Sequence, residues 1–329
     1  MPLLSIARLF EDNREKLRLT WAAGRQGGAR TLNSEVIKGS TKGLIGHLNL
    51  IHPNWIQVLG ATEVEYLNSM DPEVCRTTLA KIAARDLACF MVTGMDYVPP
   101  MLTSVAEATG TPVFLSPVSS VELMWMLRPY LARALADATT AHGVFLDVLG
   151  VGVLITGASG VGKSELALEL VSRGSGLVAD DVVEFYRIGP ETVEGRCPAL
   201  LRDFLEVRGL GVLNIRTIFG EAALRPRKNL KLIVHLERPG RDLAPLERLP
   251  LRPGTEEVMG VNVVKVTIPV AAGRNLAVLT EAAVRNHVLQ LRGFDSTSEF
   301  VGRQARQMAS EVHPDVNAPE RADVLPRKE

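Results

Sequence analysis

Eight consecutive residues, Gly157-Ala158-Ser159-Gly160-Val161-Gly162-Lys163-Ser164, fit the pattern G-x-x-x-x-G-K-[ST] at every position. Glycines in such a loop let backbone N–H groups turn inward around phosphate oxygens with no Cβ in the way. Lys163 then reaches the outer phosphates of a nucleotide, and the Ser164 hydroxyl can join a Mg²⁺ shell. The bland alternative is a strand-to-helix turn that happens to contain Lys-Ser. The context argues against it, because an apolar run precedes the loop and an amphipathic one follows. A helix starting there adds its own unsatisfied N–H groups and positive dipole end.

Downstream, Leu177-Val178-Ala179 leads into Asp180 and Asp181. A short apolar strand ending in two carboxylates can place an acid beside a phosphate–Mg²⁺ centre. One carboxylate can hold the metal or its water, and the other can take the proton of an attacking hydroxyl. Read blandly, Asp-Asp is a turn between two strands. A third feature is Glu206-Val207-Arg208-Gly209-Leu210-Gly211-Val212-Leu213-Asn214. Glycines inside an apolar run mark a tight turn or a close backbone approach. Glu206 can supply another metal ligand there, or pair with Arg208 on the surface. His142 stands ahead of the strands leading to the loop, where a surface role and a place near the phosphates are both open.

These residues need elements to position them. The run from 144 to 157 is β-branched and apolar, with Gly150 and Gly152 marking a hairpin or bulge before the final strand. The helix after the loop puts Leu166, Leu170 and Val171 on one face and ends near Gly174. Further strands are expected at 176–179, 182–186, 230–236 and 263–268, and a helix at 275–292. The first 120 residues alternate short apolar strands (55–59, 89–92, 112–115) with helices (62–68, 74–84, 101–108), a pattern of βα units. Leu4, Ile6, Leu9 and Phe10 suggest an amphipathic first helix rather than a targeting stretch. Residues 120–138 are helical in composition, with Pro129 inside, and are expected to connect two domains, with Trp125 packed in a core. The reading is therefore an α/β protein: an N-terminal domain at 1–132, a P-loop domain at 133–312 and a disordered tail at 313–329.

Size and composition agree with this. A chain of 329 residues, 46% hydrophobic and 22% charged, has the balance of a globular protein with room for two cores. Thirty-seven basic residues meet thirty-seven acidic ones, so there is no basic excess to draw nucleic acid or an anionic membrane. No apolar run reaches the roughly 18 residues that span a bilayer. Three scattered cysteines, Cys75, Cys89 and Cys197, suit a reducing cytoplasm better than a disulfide framework or zinc site.

Taken together, the motifs resemble the HPr kinase/phosphorylase family, which acts on a serine of the phosphocarrier HPr. The resemblance runs with gaps from about residue 35 to about 300. It rests on His142-Gly143-Val144, the loop followed by Glu165, Ala179-Asp180-Asp181, and the Glu206–Asn214 stretch. Thr267-Ile268-Pro269-Val270, Gly273-Arg274-Asn275-Leu276-Ala277 and, more weakly, Ile56-Gln57-Val58-Leu59-Gly60 with Thr62-Glu63 extend it. It implies a P-loop kinase domain with a carboxykinase-like core, assembled as a homohexamer. ATP and Mg²⁺ would serve phosphorylation of HPr, and inorganic phosphate would remove the group as pyrophosphate. It also implies Asp180 as base and acid, Ser164 and Glu206 as metal ligands, His142 beside the reacting phosphate and Arg248 as a catalytic arginine. Residues 262–274 would form a mobile partner-facing loop, and the helix after Ser296 would help docking.

The sequence departs from the family where Ser175-Gly176-Leu177 replaces a His-x-Leu, Val182 an Arg, and Ala271-Ala272 an Arg-Pro. Loss of that last arginine would weaken the phosphorylase direction or alter which protein is recognised. Two other readings remain: a small-molecule P-loop kinase, which would need an arginine-rich lid, and a nucleotide-gated module that transfers nothing.

Overall fold

The computed structural model describes residues 2–84, 86–238 and 254–312, with side chains in the last helix described to residue 308. The chain divides into two compact units, Met1–Thr139 with Phe185–Glu194, and Thr140–Glu184 with Gly195–Glu329. The expected 313–329 tail lies outside the described residues.

The first unit is built on a five-stranded sheet in the order Thr20–Ala23, Val113–Ser116, Cys89–Thr93, Ile56–Leu59, Ile45–His47. The last four run parallel and Thr20–Ala23 is antiparallel. Helices Ala61–Ser69, Pro72–Ala83 and Pro100–Thr109 stand between its strands in the chain, as the βα pattern predicts. Strands covered on both faces are apolar almost throughout, which is why 89–92 reads as an unbroken run and Ile56–Leu59 is broken only by the buried Gln57. Their period of two then sends Val58, Cys89 and Met91 to one core and Leu59, Phe90 and Val92 to the other.

The 120–138 segment corrects the sequence reading. Its helix ends at Ala134, and Leu123, Met124, Leu127 and Leu131 are buried in the first unit's core, so it is a core helix and not a connector. Trp125, expected inside, is 77% exposed. After the helix comes a strand, Asp137–His142. Thr, Ala and His there give no helical stop signal, and only pairing within a sheet makes them a strand.

In the second unit the hairpin forms as expected. Val144–Val148 and Val151–Gly157 pair antiparallel, joined through Leu149 and Gly150, both at positive φ (51° and 86°) as a primed two-residue turn requires. Gly176–Ala179 pairs with Val144–Val148 on one side. On the other, Val151–Gly157 runs parallel to Arg227–Glu237, which runs parallel to Val261–Pro269. One face of this sheet (Val153, Ile155, Leu232, Val234, Leu236) packs with Leu166 and Leu170 of the loop helix Lys163–Ser172. Ala277 and Val284 of helix Leu276–Leu291 join the same core. That helix starts where its sequence says: Asn275 accepts a hydrogen bond from the Val278 N–H at 2.9 Å.

A second correction concerns 262–274. Val261–Pro269 is a strand held between Arg227–Glu237 and Gly254–Val258, so a mobile loop over the whole stretch is excluded. Only the residues between Pro269 and the Asn275 cap leave the sheet. The alternating Val264-x-Val266-x-Ile268 of this segment is itself a strand signal. The three cysteines are buried and free. Among the described residues no helix is long and apolar enough to cross a membrane.

Candidate nucleotide and phosphoryl-transfer site

The loop lies at the C-terminal end of the central parallel strand, and its glycines are needed one by one. Gly157, Gly160 and Gly162 have φ of 143°, 69° and 105°. A Cβ on Gly157 would lie 2.5 Å from the Leu236 carbonyl oxygen of the neighbouring strand. Side chains are therefore excluded where backbone N–H groups must gather. Lys163 Nζ donates to the carbonyls of Gly157 (3.1 Å) and Ala158 (3.2 Å), bending back over the loop. An ammonium has three protons, so one donor is left for a phosphate oxygen.

Asp180 follows Gly176–Ala179 and is only 8% exposed. One of its oxygens accepts the Glu206 N–H at 2.8 Å, and the other lies 3.4 Å from Ser164 Oγ. The carboxylate thus joins the first turn of the loop helix to the strand Phe204–Val207. Burial raises its pKa above that of an ordinary aspartate, with the Asp181 charge adding to the effect; hydrogen bonds from Glu206, Asp181 and Ser164 oppose it. A carboxyl whose proton is held more tightly than usual is a better proton acceptor for an attacking hydroxyl than an ordinary aspartate. Asp181, in contrast, is exposed, sits at φ 60° and passes its carbonyl to the Gly143 N–H.

Ser159, Gly160, Gly162, Lys163, Ser164, Glu165, Asp180, Asp181, Glu206 and Arg208 line one cleft of about 180 Å³. The Ser164 hydroxyl and the Asp180 and Glu206 carboxylates are hard oxygen donors of the kind Mg²⁺ takes. They are too few to fill its shell, which suits an ion that keeps waters and shares phosphate oxygens. Among the described residues no cluster of three His, Cys, Asp or Glu forms a metal cage.

His142 ends the strand Asp137–His142, with Nδ1 3.8 Å from Asp181 and both side chains exposed. It is a neighbour of the cleft's rim residue and not part of its lining. Arg248 lies outside the described residues. Arg208 was open to reading as the surface partner of Glu206; instead both line the cleft, Arg208 with its guanidinium against Gly160. Arg238 lies outside every sequence motif. It hydrogen-bonds the Gly160 carbonyl from the residue after strand Arg227–Glu237. No local motif marks it, since the parallel pairing of Gly157 with Leu236 is what carries it to the loop.

Comparison with known proteins matches the architecture. The model of the HPr Serine kinase N terminus covers residues 4–131, and that of the HPr Serine kinase C-terminal domain covers 133–304. The chain belongs to the HPr serine kinase family. Proteins named HPr kinase/phosphorylase resemble it over nearly their whole length. That of Nitrosomonas europaea is 57% identical over 310 residues, 94% of this chain and 96% of the relative. That of Chromobacterium violaceum is 52% identical over 319 residues, 96% of this chain and all of the relative. A solved structure, the Hpr(Ser) kinase/phosphatase from Coxiella burnetii, is 38% identical, with a TM-score of 0.44 over 49% of this chain and 98% of its own. Membership in the HPr serine kinase family gives the P-loop and the buried aspartate a shared context.

Proposed function

We propose that this protein phosphorylates a serine of HPr with ATP and removes that phosphoryl group with inorganic phosphate, releasing pyrophosphate. The observation that carries the reading is Asp180, buried yet held between the loop serine and the Glu206 backbone. A module that only bound nucleotide would have no need of an ionisable group there, since burial penalises its charge. A small-molecule kinase would close an arginine-rich lid over a compact acceptor pocket, and no such lid is evident in the sequence.

In the forward direction the loop amides and Lys163 hold the nucleotide phosphates. Asp180 accepts the serine proton as the serine oxygen attacks the terminal phosphorus, and the bond to ADP breaks. In reverse, a phosphate oxygen attacks the phosphoserine phosphorus, the serine oxygen leaves with the proton from Asp180, and pyrophosphate departs. Mg²⁺, bound through Ser164 and Glu206, would neutralise charge on the phosphates. His142 is assigned to the neighbourhood of the reacting phosphate and Arg248 to its stabilisation, both on the family resemblance. The same reading makes the protein a cytoplasmic homohexamer with HPr as partner. Neither nucleic acid nor membrane has a part in it. Ala271-Ala272, standing where the family carries Arg-Pro, would weaken the reverse direction or change which protein is recognised.

The test is a phosphorylation assay with purified protein, ATP, Mg²⁺ and HPr, comparing the native chain with Asp180→Asn and then adding phosphate. Phosphoserine made only by the native chain, and recovered as pyrophosphate, is the expected result. Bound ATP without transfer to HPr would overturn it.

A further inference from the structure

Gly160 is the tip of the loop, and its peptide is fixed from three sides. Arg238 Nη2 donates to its carbonyl. At the other end of the same peptide unit, the Val161 N–H donates to the Ala158 carbonyl at 3.2 Å. The Arg208 guanidinium packs against the open side, where a Cβ on Gly160 would lie 3.1 Å from Nη1. Arg238 is delivered by a firm element. The strand before it is bonded on both sides, to Val151–Gly157 and to Val261–Pro269, and the Glu237 carbonyl accepts the Val270 N–H at 2.8 Å.

We propose that Arg238 is a positioning residue for nucleotide binding, acting on the phosphates through the Gly160–Val161 peptide and not by touching them. Two physical effects follow from its contact. A loop tip with its peptide pinned gives up less freedom when phosphate enters, so less of the binding free energy goes into ordering it. A cationic donor on the carbonyl also polarises the peptide and raises the positive potential around the loop. Among the described residues no carboxylate pairs with Arg238. Lys163 cannot do the same job, because its contacts hold the Gly157 and Ala158 carbonyls at the start of the loop. The division is spatial: the lysine orders the loop's entrance and the arginine its tip.

This inference rests on the ATP-dependent reading above, and the experiment separates the two. ATP affinity of the full-length native protein is measured first with Mg²⁺, then that of Arg238→Ala and Arg238→Lys, with thermal unfolding as the check on folding. Arg238 is exposed, so unfolding temperatures should agree. Arg238→Ala is expected to bind ATP roughly fivefold to tenfold more weakly, with the KM for ATP rising by the same factor and kcat within about twofold. Millimolar methylguanidine should recover part of the loss in Arg238→Ala, and lysine, a single point donor, should recover only part. Unchanged ATP affinity in Arg238→Ala overturns the proposal. So does a fall in kcat at constant KM, which would place Arg238 on the transferring phosphoryl group. If the native chain binds no ATP, the functional reading falls and this inference with it.

Discussion

The two units bury polar side chains for different ends. Within the first unit the buried polar residues are the neutral Asn13, Ser34, Gln57, Thr93, Thr111 and Ser116, together with Glu194, whose carboxylate is paired with Arg133 at 3.3 Å. Each has a hydrogen-bond partner nearby. Ser116 Oγ, for example, donates to the Leu17 carbonyl at 2.6 Å and Ser34 Oγ to the Leu135 carbonyl at 2.8 Å. Within Thr140–Glu184 and Gly195–Glu329 the buried polar residues include Asp147, Asp180 and His287, all ionisable. A satisfied neutral group costs little and fixes a loop or strand end. A buried carboxylate carries a desolvation cost that must be offset by an ion pair, by hydrogen bonds or by its use in chemistry. Asp147 is partly compensated by Arg225 and Lys228 at 3.2 and 3.0 Å. Among the described residues no cation pairs with Asp180, which has only N–H and O–H donors, and burial raises its pKa. The first unit thus pairs its buried Glu194 with a cation, while the second holds, among the described residues, a buried acid with no cation partner where chemistry would need it.

The largest expected effect breaks that contrast at its sharpest point. Asp180→Asn keeps the shape and removes the charge. Loss of a general base reduces phosphoryl transfer by about 10²–10⁴-fold in both directions. The sign for stability is opposite. A carboxyl whose folded pKa is raised binds its proton more tightly when folded, so folding is favoured at low pH and that gain is lost as pH rises through the folded pKa. Near neutrality the asparagine variant no longer carries this penalty, and its unfolding temperature should equal or exceed that of the native chain. A marked loss of stability would show that the carboxylate's hydrogen bonds, not its burial, dominate the site.

A pair of glycines gives the next test. Gly24 has φ 66° and its Cβ would meet the Thr111 carbonyl oxygen at 2.0 Å; Gly157 has φ 143° and would meet Leu236 at 2.5 Å. Alanine at either site should cost about 2–4 kcal/mol by denaturant unfolding. Gly24→Ala should leave ATP affinity unchanged in the folded fraction, while Gly157→Ala should abolish it. Loss of nucleotide binding by both would mean that the first unit does more than support.

What was legible in the sequence follows the same division. The loop, its helix and the Asp-Asp strand end could be read because they need particular residue types at fixed local spacing. The strands of the first unit were legible for a simpler reason, burial on both faces. Beyond the 144–157 hairpin, pairing between segments distant in the chain was not legible. The end of the 120–134 helix, the strand at 137–142 and the inclusion of 261–269 in the sheet depend on neighbours distant in the chain. The Glu206 N–H on Asp180 and the arrival of Arg238 at Gly160 are of that kind too, since both come from residues far along the chain. Glu206 was read as a metal ligand from its carboxylate, and nothing local could show that its backbone holds the acid.

The smallest expected effect is the most selective. The charge of Asp181 is one of the causes that raise the Asp180 pKa, though not the first. Asp181 is exposed, so its influence is screened by solvent and the change is modest. Forward transfer needs Asp180 unprotonated, and its rate should climb with pH through a pKa above the usual aspartate value. Removing the Asp181 charge lowers that pKa, so in Asp181→Asn the acidic limb of the kinase profile should move to lower pH by about a few tenths of a unit. The reverse reaction needs the protonated acid, and its high-pH limb should move the same way. The two profiles, measured in low salt and again in high salt, check both parts of the argument. A shift that shrinks with salt confirms a charge effect at the surface, while a shift upward, or none in either salt, would mean that another group sets the profile.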